Sequence, residues 1–226
     1  MVKKFSEQQI IESWQKNARP WISAVRQGEI ESRLLATNQA IVDAVLNRRP
    51  QTVLDVGCGE GWLIRELAGH GINALGVDVV SEFVEIAGRD GRGRFRVLPY
   101  AAISADSLEE RFDVVVCNFS LLGKDSVDHL LRQLPALMND GAALIVQTLH
   151  PVVACGDLPY QDGWRQGSWA GFSGQFVDPA PWYFRTIESW QALLVNNGFN
   201  RLAVQEPLNP KTQTPASIVF VAERAD

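Results

Sequence analysis

The sequence predicts an α/β fold, a mostly parallel sheet with helices on both faces. Three observations carry that expectation. From residue 52 onward, short apolar runs rich in β-branched residues alternate with helical patterns, the rhythm that buries a parallel sheet between helices. The first run, Val53-Leu54-Asp55-Val56, passes directly into the glycine-rich turn Gly57-Cys58-Gly59-Glu60-Gly61 and then into an amphipathic helix. The second run, Ala74-Leu75-Gly76-Val77-Asp78, ends on a carboxylate about 20 residues after the turn, where an acid meets ribose hydroxyls in open α/β sheets.

Taken in order, the first fifty residues read as a helical extension ahead of the sheet. Ser6 is placed to cap a helix over Glu7–Lys16, Pro20 to start a further turn, and Thr37 to cap a helix over 38–47. Trp14 and Trp21 read as packing residues or parts of a lid, and Arg33 as a surface charge or a carboxylate ligand. Strands are expected over 52–56, 73–78, 95–98, 112–118 and 143–148, with helices near 63–69, 81–87 and 126–137. A helix then begins after Thr186 and ends at Asn197-Gly198, followed by strands over 202–206 and 217–223.

A chain of 226 residues can bury a sizeable core, so one domain spanning 1–226 is expected, with 1–50 as the extension. Its 46% hydrophobic and 21% charged residues are ordinary for a globular protein and argue against disorder. No run approaches the ~18 apolar residues of a membrane span, and the N-terminus turns polar too soon for a signal-peptide core. No membrane partner and a cytoplasmic location are expected. Cys58, Cys117 and Cys155 are widely spaced with no C-x-x-C pair, so they read as buried thiols, with neither a disulfide framework nor a metal site. A net charge of −5 opposes a large phosphate-binding surface. The one basic cluster, residues 89–96, is interleaved with glycine and reads as a solvated loop, so no nucleic-acid partner is expected.

Glycine spacing selects the ligand. A dinucleotide turn is G-x-G-x-x-G with pyrophosphate at the helix N-terminus, whereas this chain has G-x-G-x-G at Gly57, Gly59 and Gly61, preceded by Asp55. An acid there repels a pyrophosphate but suits an ammonium group. Asp55, three glycines and Asp78 together describe an adenosine with an amino-acid tail.

The strings VLDVGCGEGWL and ALGVDVVSEFVEIA resemble the first two motifs of class I S-adenosylmethionine-dependent methyltransferases of the small-molecule type. The resemblance implies a Rossmann-like sheet of seven strands in the order 3-2-1-4-5-7-6, the last strand antiparallel. It implies S-adenosylmethionine as cofactor, with Asp55, Gly57, Cys58, Gly59 and Gly61 at its methionine part and Asp78, with Val79 beside it, at the ribose. The loop after the third strand, Tyr100 and Ala101, would flank the adenine, although the acid often found there is missing. Asn118 and Phe119, after the fourth strand, would line the cleft near the methyl group, with Asn118 equally readable as a turn residue.

After the fifth strand comes His150, able to accept a proton near neutral pH and so a candidate general base. A backbone-bonded histidine, or one that only orients substrate, is the alternative, because alignment alone supplies much of the acceleration in a displacement. Residues 155–185 form a long aromatic insertion without helical periodicity, which reads as a lid or acceptor pocket. Trp164, Trp169, Trp182, Tyr183 and Arg185 are its candidate acceptor-binding residues; the alternatives are an aromatic minicore and, for Arg185, capping of local carbonyls. The function expected is methyl transfer to an oxygen, nitrogen or carbon of a small molecule by a monomer or homodimer. An inactive cofactor-binding regulatory or assembly protein is the rival.

Overall fold

A computed structural model describes residues 5–224. Its strands are β1 (Thr52–Val56), β2 (Asn73–Asp78), β3 (Arg94–Val97), β4 (Phe112–Asn118), β5 (Met138–Thr148), β6 (Gly163–Arg165), β7 (Trp182–Phe184), β8 (Arg201–Gln205) and β9 (Ile218–Glu223). Its α-helices are α1 (Glu7–Lys16), α2 (Ala18–Arg26), α3 (Asn38–Leu46), α4 (Trp62–Gly69), α5 (Ser81–Arg89), α6 (Ala105–Leu108), α7 (Asp125–Gln133), α8 (Pro151–Ala154) and α9 (Ile187–Asn196). Seven strands form one sheet in the order β3-β2-β1-β4-β5-β9-β8. Strands β1 to β5 pair in parallel and β9 runs antiparallel to both β5 and β8. Because β8 and β9 are the sixth and seventh strands of this sheet, the order implied by the resemblance is the order found.

Side-chain alternation sorts the strands into two cores. Leu54, Val56, Val115, Cys117, Leu144 and Val146 pack against Leu130 and Leu131 of α7 and Trp190 and Leu194 of α9. Val53, Val114, Val116, Ile145 and Val219 pack on the other face, against Ile41 and Val45 of α3 and Leu63, Ile64 and Leu67 of α4. By the same alternation Asp55, Asn118 and Gln147 continue this α3 face upward at the carboxyl ends of β1, β4 and β5, and Asn118 lies directly opposite Gln147 in the ladder.

Several boundaries differ from those expected, each for a local reason. Thr37 does not cap α3. The chain enters that helix through a π-helical turn, Arg33–Thr37, so Thr37 already has helical dihedrals (φ −76°, ψ −29°) and makes no cap hydrogen bond. Helix α2 begins at Ala18, with Pro20 inside its first turn, where a missing N–H leaves no bond unmade. The expected helix over 126–137 ends at Gln133, and Pro135 lies in a tighter 3₁₀ turn over Leu134–Leu137. Strand β5 starts at Met138, ahead of the expected 143, with an irregular register absorbing Asn139-Asp140-Gly141. The insertion is not wholly irregular, since β6 and β7 pair antiparallel within it. Cys58 and Cys117 are buried, but Cys155 is half-buried, near the surface beyond α8.

The extension crosses the carboxyl edge of the sheet. Ser6 closes a capping box on α1. From the first turn of that helix, Glu7 accepts hydrogen bonds from the N–H groups of Lys124 (2.6 Å) and Ser126 (3.1 Å) at the start of α7. Further along α1, Trp14 packs on Phe83 of α5 and edge-on to Trp21. Helix α1 therefore bridges the β4–α7 junction to the β2–α5 junction, above the glycine turn between them. Among the described residues no helix is long and apolar enough to cross a membrane.

Candidate functional site

The glycine turn is built against its neighbours. The N–H groups of Gly57 and Cys58 both donate to Val77 O, at 2.8 and 3.1 Å, pinning the turn to the end of β2. Gly57 has φ +78°, and a Cβ there would collide with Ser120. Ser120 in turn donates from Oγ to Val56 O (2.6 Å) and accepts at its carbonyl from the Tyr100 hydroxyl (2.9 Å). Gly61, at φ +82°, starts α4; a Cβ there would lie 2.8 Å from Ala87 and Phe95. Both positions demand glycine because another element occupies the side-chain volume.

Asp78 is buried and its carboxylate ties two loops together: Oδ2 accepts from Gly59 N–H and Oδ1 from Val80 N–H, both at 2.9 Å. Burial raises its pKa against the lowering effect of these bonds. Asp55 is pushed up to about 8, first by burial and second by the charge of Asp78. Burial also raises the Cys58 thiol well above its ordinary range, so Cys58 is a packing residue of the turn and not a thiolate. Val79 packs with Trp14, Trp21, Val80 and Phe83 beneath the extension, and Ala101 lies exposed in a short turn after β3.

Glu60, which sequence reasoning passed over, is buried inside the turn. It is held by Arg65 at 2.7 Å and Arg26 at 3.0 Å, while Asp90 pairs with both arginines. The sequence signal was an acid in the middle of an otherwise small turn, five residues before Arg65.

Buried polar atoms without hydrogen-bond partners gather at the carboxyl edge. They include Asp55 Oδ1, Asn118 Oδ1 and Gln147 Oε1, which share one sheet face, and Thr37 Oγ1 at the start of α3 above that face. An unsatisfied buried group costs about 1–3 kcal/mol, so such a gathering marks a place shaped for something polar. Phe119, next to Asn118, adopts φ +54°, a strained conformation for a non-glycine residue, and donates from its N–H to Gln147 O at 2.8 Å.

His150, just beyond β5, is buried; its Nε2 lies 2.9 Å from Glu206 Oε1 and its Nδ1 has no partner. Sequence reasoning did not single out Glu206, because nothing in the spacing shows that the ends of β5 and β8 meet through β9.

The insertion residues divide into separate groups. Trp164 meets Tyr183 across the β6–β7 pair (5.7 Å between rings) and Phe5 at 6.3 Å, and Trp182 packs on Phe184. Trp169 instead joins Phe172, Phe176 and Trp14 in a cluster on the extension. Arg185 is buried between the rings of Tyr183 and Trp190 and donates to Gly123 O, Lys124 O and Asp128 Oδ1 at 2.9–3.0 Å. Of the two roles open to it, the geometry displays carbonyl capping.

A protein-family model described as a methyltransferase domain matches residues 28–204. The ubiquinone biosynthesis O-methyltransferase of Burkholderia ambifaria (strain MC40-6) is 29% identical over 113 residues, covering 48% of this chain and 49% of that protein. The protein of the same name from Coxiella burnetii (strain RSA 493) is 26% identical over 112 residues, covering 48% of each. The chain thus spans about half the length of the curated relatives it matches. Among solved structures, magnesium protoporphyrin IX methyltransferase from Synechocystis PCC 6803 with bound SAH superposes with a TM-score of 0.67 at 16% identity, covering 97% of this chain and 100% of that one. The Burkholderia thailandensis 1,6-didemethyltoxoflavin-N1-methyltransferase, bound to 1,6-didemethyltoxoflavin and S-adenosylhomocysteine, gives 0.66 at 20% identity, covering 100% and 94%. At such identities these likenesses show the fold.

Proposed function

The chain belongs to the methyltransferase-domain family, and on that premise we propose that it uses S-adenosylmethionine to methylate a small molecule in the cytoplasm, as a monomer or homodimer and without nucleic acid. The observation that carries this reading is the gathering of buried, unpartnered polar atoms beside a carboxylate already fixed by two backbone N–H groups. Asp78, so fixed, keeps lone pairs for ribose hydroxyls, and Asp55 Oδ1 offers an anion to an ammonium group. Gly57, Cys58, Gly59 and Gly61 let the ligand approach the turn, with Val79, Tyr100, Ala101, Asn118 and Phe119 around it. S-adenosylmethionine, when bound, supplies a methyl group made electrophilic by its sulfonium sulfur.

The acceptor must lose a proton as it takes the methyl. With Glu206 accepting at Nε2, the imidazole proton sits on that nitrogen and Nδ1 retains a lone pair. His150 Nδ1 is thereby a base for a hydroxyl or N–H acceptor, and Glu206 holds the ring in that tautomer. Trp164, Trp182 and Tyr183 form the acceptor's aromatic wall. Trp169 and Arg185 serve instead to anchor the insertion, since their polar groups are directed to the chain itself.

Calorimetry with S-adenosylhomocysteine and with NAD tests the cofactor assignment: binding of the first and not the second is expected, and the reverse would overturn it. Incubation with methyl-labelled cofactor and a metabolite extract, read by mass spectrometry, identifies the acceptor.

A further inference from the structure

Two side-chain amides stand next to each other at the carboxyl ends of β4 and β5, where Asn118 is the ladder partner of Gln147. Gln147 is 1% exposed and is held at both its side chain and its main chain. Its Nε2 donates to Ser217 Oγ at 2.9 Å, and Ser217 is fully buried just ahead of β9. Its carbonyl accepts from the Phe119 N–H at 2.8 Å, the bond that secures the strained turn directly after Asn118. Committing Nε2 to Ser217 leaves Oε1 as the free end of the amide. Among the described residues neither Gln147 Oε1 nor Asn118 Oδ1 has a hydrogen-bond partner.

Two neighbouring buried oxygens with no donor carry a free-energy cost that an apolar pair of the same shape would avoid. A ligand that satisfies both must bring two hydrogens to them. An N–H···O bond is about 2.9 Å long, so one nitrogen spans two oxygens up to about 5.8 Å apart, and adjacent strands, at about 4.8 Å, fall within that reach. One –NH2 group therefore matches the pair, whereas a single hydroxyl, with one hydrogen, leaves an oxygen unpaired. Amide oxygens accept hydrogen bonds but take no proton, so such a nitrogen is recognised here and is not the atom that gains the methyl.

We propose that Gln147, positioned by Ser217 and paired with Asn118, is a specificity-determining residue for the acceptor, and that the acceptor carries a neutral –NH2, of an aminoaromatic ring or a carboxamide, apart from the atom it methylates. The proposal rests on the methyl-transfer reading above. Ser217 is a positioning residue: without its hydroxyl the amide can rotate and withdraw its oxygen.

The test begins with the product labelled from a metabolite extract, which should retain an unsubstituted –NH2. A product without one, including a product methylated on that nitrogen, would overturn the proposal. With the unlabelled precursor as substrate, Gln147→Met, similar in length but lacking the amide, is expected to raise the acceptor KM about 5- to 150-fold, while kcat and S-adenosylhomocysteine affinity stay within about twofold. Ser217→Ala should raise the same KM about 2- to 10-fold. The double variant Gln147→Met/Ser217→Ala removes both polar partners and the orphaned oxygen together, so its Tm should hold or rise, and it carries the test if Gln147→Met alone fails to fold. An unchanged acceptor KM in the folded double variant would show that no acceptor group meets the amide and overturn the proposal. So would a loss of S-adenosylhomocysteine affinity equal to the rise in KM, which would place the amide at the cofactor. Failure of the unsubstituted protein to bind S-adenosylhomocysteine, or to label any product, would instead remove the methyl-transfer reading, and this proposal with it.

Discussion

Asn17 and Val177 exchange two hydrogen bonds: Asn17 Nδ2 donates to Val177 O at 2.7 Å, and Val177 N–H donates to Asn17 Oδ1 at 2.8 Å. Asn17 is fully buried at the junction of α1 and α2, so a side chain of the extension stands in for a strand partner of the insertion. Ser13 Oγ adds a bond to Asp178 O at 2.6 Å, and Trp169 Nε1 shares the Val177 carbonyl at 3.0 Å. Extension and insertion are thereby tied to each other by main-chain and side-chain bonds.

Removing that exchange should loosen the insertion without dissolving the sheet. Asn17→Ala leaves a backbone N–H with no partner and the Val177 carbonyl short of one, a loss of about 1–3 kcal/mol. Limited proteolysis should then cut within residues 166–178 faster than in the unsubstituted protein, while denaturant unfolding shifts by no more than that amount. Unchanged cleavage would show that the aromatic cluster around Trp14 and Trp169 holds the insertion by itself.

On the proposed reading, Asp78 holds the ribose from the end of β2. Asp78→Ala should weaken S-adenosylhomocysteine by roughly 1.5–3 kcal/mol, the scale of a lost hydrogen bond to a charged group. Because Asp78 also receives the Gly59 and Val80 N–H groups, Asp78→Asn is the sharper variant. Its single oxygen can serve one loop and not both, so an intermediate loss is expected. Full affinity in folded Asp78→Ala would take Asp78 out of the site.

Most of the sheet was legible from sequence, because β1, β2 and β4 are buried on both faces and flanked by unmistakable turns. The glycine turn between β1 and α4 was legible for the same reason: turn chemistry is local. What was not legible depends on contacts distant in sequence. Glu206 meets His150 only because β9 inserts between β5 and β8. Thr37 looked like a helix cap, since threonine before a helical pattern is the usual sign of one, and the π-turn ahead of it leaves no trace in residue type. For Arg185 and Trp169 the sequence left packing and binding open, because loop arginines and aromatics serve both with equal chemistry; their in-chain hydrogen bonds depend on contacts distant in sequence.

The raised Asp55 pKa predicts the direction of a pH effect. An isolated aspartate titrates near 3.9, and burial, aided by Asp78, holds Asp55 up to about 8. Without ligand, the unfolded chain ionises first, so this residue makes the fold less stable as pH rises from about 4 to 8. A bound ammonium group favours the ionised carboxylate, so binding below pH 8 releases a proton. S-adenosylmethionine affinity should therefore increase between pH 6 and 7.5, and Asp55→Asn should flatten that slope while weakening binding. Calorimetry in buffers of different ionisation enthalpy measures the released proton directly; no proton release at pH 6.5 would disprove the linkage.

The His150–Glu206 pair yields the last prediction, which separates a base from a structural histidine. If Nδ1 takes the acceptor's proton, His150→Ala should lower kcat by about 10²- to 10⁴-fold with cofactor affinity intact. Glu206 is 52% exposed on its side chain, so Glu206→Gln should neither unfold the protein nor strand a buried charge. The amide can still accept from Nε2 through its oxygen, which preserves the tautomer but gives up the ionic part of the pair. A kcat loss much smaller than for His150→Ala is expected, whereas Glu206→Leu, which offers no acceptor, should approach the His150→Ala value. With the acceptor found by labelling, these three variants form a graded series in kcat at constant S-adenosylhomocysteine affinity. If all three lower thermal stability in parallel and kcat follows stability alone, His150 is a strand-end packing residue, and alignment of acceptor and methyl accounts for the rate.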